Sequence, residues 1–81
     1  MEKDDLLIEY TTLAIAALRK EGVMFIKSTP YNKLISLHFQ VGMFLRNNLN
    51  LWYVDLKGEH PDDFSMRIIQ NIHKTKYELE G

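Results

Sequence analysis

Any chemistry in this chain would come from a short set of side chains: His38, His60 and His73, the adjacent pair Asp62-Asp63, the hydroxyls of Ser28, Ser36 and Ser65, and the guanidinium of Arg46. A metal site needs ligands that converge. The three histidines are far apart in sequence and follow no HExxH-type repeat, so His38 and His73 are expected at helix borders, hydrogen-bonding locally. Two carboxylates can share general acid–base work. Neighbours on a helix point about 100° apart, however, and an aspartate at a helix start more commonly accepts free backbone N–H groups. No nucleophile elbow surrounds a serine, and Gly22, Gly42, Gly58 and Gly81 are too scattered to cradle a phosphate. Cysteine is absent, which excludes thiolate chemistry, disulfides and cysteine metal sites. These residues predict no catalytic group, no metal ligand, no cofactor and no small-molecule substrate.

The stretch from His38 to Trp52 is more pointed. Gly42 inside a helix costs about 1 kcal/mol relative to Ala, so another backbone or an aromatic ring is expected to come close there. Arg46 lies four residues beyond Gly42 and eight beyond His38, which puts the three on one face. A partly buried arginine needs an acceptor, and Asp62 or Asp63 at the start of the next helix is the nearest candidate. Asp63 is the better partner if Asp62 serves as the cap. Two uses stay open: a clamp tying the end of one helix to the start of the next, or an anion or partner site made by Arg46, Asn47 and His60. Trp52, between Leu49, Leu51 and Val54, is expected to pack against the ends of the second and third helices, out of solvent.

These groups need elements to position them. Residues 5–21 read as a first helix, capped by Asp4 or Asp5, with Leu6, Tyr10, Leu13 and Ala17 at helical spacing and Gly22 as its left-handed stop. Residues 23–28 read as a short strand or an apolar loop. Thr29-Pro30 is a strong start for a second helix running to about Arg46 or Asn48. On it Leu34, Leu37, Val41 and Leu45 form one line, while Ile35, Phe39, Met43 and Phe44 spread apolar surface round most of the rest. Such a helix is either central to the fold or offers one face to a partner. Asn47 to Asn50 break it, 51–56 is a second β-like run able to pair with 23–28, and 57–60 is a loop. A third helix starts near Pro61-Asp62-Asp63 and buries Phe64, Ile68, Ile69 and Ile72, with Tyr77 near its end. The fold class is mainly α, a small three-helix domain with a two-stranded β ribbon over 23–28 and 51–56 as an option. Residues 1–81 form one domain, frayed at 78–81.

Two segments resemble a family of bacterial domains. The first is Leu37-His38-Phe39, Gly42-Met43, Leu45-Arg46-Asn47-Asn48 and Leu51-Trp52; the second is His60-Pro61-Asp62-Asp63, Ser65 and Ile68-Ile69. The family carries no assigned activity, so the resemblance implies shared fold and not function. It also implies that His38, Arg46, Asn47, Trp52, His60, Asp62, Asp63 and Ser65 gather in one place.

With 46% hydrophobic residues the chain is too apolar to be disordered, and ten basic against eleven acidic residues leave a formal charge of -1. That balance gives no field to draw in nucleic acid. No apolar run approaches the roughly 20 residues that span a bilayer, and the acidic start is unlike a signal peptide. A chain of this length buries barely enough surface to fold alone and gains from a partner or a second copy. The expectation is a cytoplasmic protein-binding or regulatory module without catalytic activity, acting through an aromatic and apolar surface. Two alternatives accompany it: a weak nucleic-acid binder using Arg67, Lys74 and Lys76 beside His73, and a homodimeric subunit of a larger complex.

Overall fold

A computed structural model describes residues 3–74; Tyr77, Lys76 and the tail expected to fray at 78–81 lie outside the described residues. Helix α1 covers Lys3–Ser28. A continuous rod follows, 3-10 over Tyr31–Leu37, π over His38–Gly42 and α-helical over Met43–Asn48, the last being α2. A single 3-10 turn, Leu51–Tyr53, leads through a loop into α3, Pro61–Lys74. The protein is helical as expected, and no strand occurs among the described residues.

The β ribbon is therefore corrected at both runs. Residues 23–28 are the last part of α1, and their burial has period three: Val23 and Ile26 are inside while Met24 and Phe25 are exposed. A strand would have alternated. In 51–56 only Leu51 and Leu56 are buried, and the 3-10 turn between them carries Trp52 and Tyr53 outward.

The first helix does not stop at Gly22. It bends at Arg19, whose φ of 62° and ψ of -175° leave the helical region, and resumes at once. Asp4 and Asp5 lie inside it and not before it. The bend has a geometric cause. At 100° per residue, Val23 and Ile26 would centre about 150° round a straight helix from Ala14. Bending lets Leu6 and Ala14 of one half and Val23 and Ile26 of the other reach the same core.

In the rod, changes of pitch keep one line inward. Leu34 and Leu37 are three apart in the 3-10 portion, where side chains three apart eclipse; Val41 and Leu45 follow at intervals of four through the wider turns. Thr29 does not cap this rod: its hydroxyl donates back to the Phe25 carbonyl oxygen at 2.9 Å. The rod ends where the asparagines predict, with Asn50 in the left-handed region at φ 54°, ψ 40°. Lys57 and Gly58 both have positive φ and are closed by Glu59 N–H donating to the Leu56 carbonyl, the geometry of a type I′ turn. Helix α3 buries Phe64, Ile68, Ile69 and Ile72 against α1 and the rod, with the Tyr10 and Phe64 rings edge-on at 5.8 Å. No helix among the described residues is long and apolar enough to cross a membrane.

Candidate functional site

Two adjoining features occupy the junction of the rod and α3. The inner one is a hydrogen-bonded network around Arg46, which is buried although charged. Its Nε lies 3.2 Å from Asp62 Oδ1, and its Nη1 donates to Ser65 Oγ at 3.1 Å. Ser65, fully buried, donates in turn to the Asp62 backbone oxygen at 2.9 Å. Gly42 makes room for this. A Cβ there would stand 2.9 Å from Arg46 Nη1 and 3.4 Å from Ser65 Oγ, so the close neighbour is a guanidinium one turn along the same rod, where a backbone or an aromatic ring was expected.

Asp62, and not Asp63, takes the arginine. The reason is the cap: the Asp62 backbone N–H donates to His60 Nδ1 at 3.0 Å, so a histidine does the work expected of a carboxylate. The Asp62 side chain is thereby released to face Arg46. Accepting that bond requires a lone pair on Nδ1, which places the proton of the neutral ring on Nε2. The Trp52 ring stands edge-on to His60, centroids 5.4 Å apart, and is 53% exposed. The expected burial of Trp52 is thus corrected. Leu51, beside it, takes the core position, and a single 3-10 turn cannot point two successive side chains inward.

Of the residues grouped by sequence, the structure brings together Arg46, Asp62, Ser65, His60 and Trp52. Asn47 is exposed outside the network, and Asp63 is exposed on its outer side. The side chain of His38 lies outside what is described; its backbone opens the π portion of the rod. His73 reaches across the fold, its Nε2 2.8 Å from the Thr29 carbonyl oxygen, where a local bond was expected. Arg67 pairs with Glu59 at 2.6 Å. No buried side-chain nitrogen or oxygen among the described residues lacks a hydrogen-bond partner.

The outer feature is an open groove of about 250 Å³ lined by Ile35, Phe39, Met66, Asp62 and Asp63. Ile35 and Phe39 are each 74% exposed, and Met43, one turn further along the rod, is 51% exposed. Sequence reasoning named these three as apolar surface without locating the groove; their spacing of four on a helix with a separate buried line was the available signal. Compared with protein-family models, curated proteins and solved structures, the chain matches none.

Proposed function

We propose that this chain is a small protein-binding module whose docking surface is the Ile35-Phe39-Met43 stripe and the groove beside it, and that its occupant is an amphipathic helix of a partner protein carrying basic residues. The observation that carries the reading is the stripe itself. Ile35 and Phe39, four apart, stand exposed on the groove, and Met43 stands exposed four residues further along the rod, an arrangement suited to the ridge of a second helix. Charge selects among partners. Asp62 is already matched by Arg46, whereas Asp63 leaves an acidic carboxylate on the rim that favours lysine or arginine in the occupant. The Arg46 network belongs to this surface as its foundation: it fixes the start of α3 against the rod and so sets the width of the groove. A module of this kind acts in the cytoplasm and needs no catalytic group.

Nucleic acid is the weaker reading, because Arg67 is engaged with Glu59 and the groove rim is acidic. The test uses two helical peptides of about 16 residues, one of leucine and lysine and one of leucine and glutamate in the same pattern. Amide NMR spectra should shift at Ile35, Phe39, Met43 and Met66 with the lysine peptide and far less with the glutamate peptide. Shifts elsewhere, or equal responses, contradict the reading.

A further inference from the structure

The bend in α1 carries an inference independent of the groove. We propose that two copies of this chain exchange the N-terminal half of α1 about a hinge at Arg19, forming a domain-swapped dimer in which α1 is straight. Arg19 has φ 62° and ψ -175°, a region that residues with a Cβ rarely adopt and that only glycine enters without strain. No glycine is there. The sequence across the hinge, Leu18-Arg19-Lys20-Glu21, consists of good helix formers that a straight helix would accept. The strain is therefore imposed by the need to pack both halves of α1 into one core.

Gly22 fits the bend specifically. A Cβ at Gly22 would lie 2.7 Å from Leu18 Cβ, whereas Cβ atoms four apart in a regular helix are about 5–6 Å apart. A straight α1 would remove both the positive φ and the need for glycine. It would also be about 39 Å long, against 32 Å for the longest extent of the molecule, and would aim Ala14 about 150° and Leu6 about 130° away from the centre of Val23 and Ile26. One copy could not cover both faces. A second copy can, because α3 already offers the matching surface: Tyr10 against Phe64, and Thr11 Oγ1 accepting from Asn71 Nδ2 at 3.1 Å. In the swapped dimer these same contacts form between copies, two strained residues are relieved, and the cost is that of association.

The chain has no cysteine, which makes the test clean. A Thr11→Cys chain and an Asn71→Cys chain are unfolded, mixed, refolded together and oxidised. The swap predicts a disulfide-linked heterodimer of the two chains. It also predicts that Gly22→Ala, which clashes only in the bent form, raises the dimerisation constant by roughly tenfold or more, and that Arg19→Gly lowers it by a similar factor. Sedimentation of the cysteine-free chain, 9.6 kDa as a monomer, reports the same equilibrium without cross-linking. A chain that remains monomeric up to about 1 mM after refolding overturns the proposal. So does a dimer that forms no disulfide between the two cysteine variants, or one that Gly22→Ala and Arg19→Gly leave unchanged.

Discussion

Arg46 is held by Asp62 and Ser65 and abuts Gly42, and the contacts with Asp62 and Gly42 each imply their own energetic signature. Its partner Asp62 has a side chain 42% exposed, so solvent screens the pair. A double-mutant cycle between Arg46→Ala and Asp62→Asn, read by chemical denaturation, should give a coupling of about 1 kcal/mol, at the upper end of exposed pairs and well short of a buried one. The same cycle with Asp63→Asn should give under about 0.5 kcal/mol. Gly42 and Arg46 compete for one volume, so Gly42→Ala should destabilise the parent by displacing the guanidinium. In an Arg46→Ala background it should instead stabilise by up to about 1 kcal/mol through helix propensity. A Gly42→Ala effect of the same sign in both backgrounds would show that the guanidinium does not set the requirement for glycine. That Arg46 seeks an aspartate at the next helix start is legible in the sequence from charge and burial. The choice of Asp62 is not, because it turns on His60 acting as the cap. The position of Trp52 was also illegible: size and apolar neighbours argue for burial, and only the turn geometry shows that Leu51 fills the site. Leu51→Ala should accordingly cost about 2–5 kcal/mol, and Trp52→Ala markedly less, in the same denaturation series.

In the first helix, the departures from the sequence reading arise because long-range packing overrides a local signal. The run Val23 to Ser28 has strand-like composition, but burial at Val23 and Ile26 makes it helical. Gly22 looks like a helix stop, yet it serves a bend three residues earlier that no local window reveals. The rod was readable in extent and in its buried line, Leu34, Leu37, Val41 and Leu45, because spacings of three and four suit any helix. Its changes of pitch were not, since spacings of three and four do not tell 3-10, π and α-helical turns apart. The turn at Lys57-Gly58 offers a direct check on an element. Type I′ geometry requires positive φ at both central residues, which asparagine tolerates better than lysine. Lys57→Asn should raise stability by about 0.5 kcal/mol in thermal or chemical unfolding. A loss of stability would argue against that turn.

Taken whole, the molecule divides its apolar residues between a core that the sequence made legible in part, with Leu13 exposed and Val23 and Ile26 helical against its reading, and a surface that it suggested without placing. Leu6, Ala14, Leu34, Leu45, Phe64 and Ile68 are buried; Ile35, Phe39 and Met43 are held outward by the same rod that buries its opposite side. Periodicity could mark both lines, but the groove exists only because α3 docks against the rod and brings Met66 and Asp63 alongside. The docking claim is tested most directly by calorimetric titration of the leucine–lysine peptide onto the parent chain and onto Phe39→Ser. Phe39 is mostly exposed, so its replacement should leave the melting curve within about 2 °C of the parent. The account predicts that the parent binds the peptide and that Phe39→Ser weakens binding at least about tenfold, close to 1.4 kcal/mol. Equal affinity for the two folded chains would contradict it.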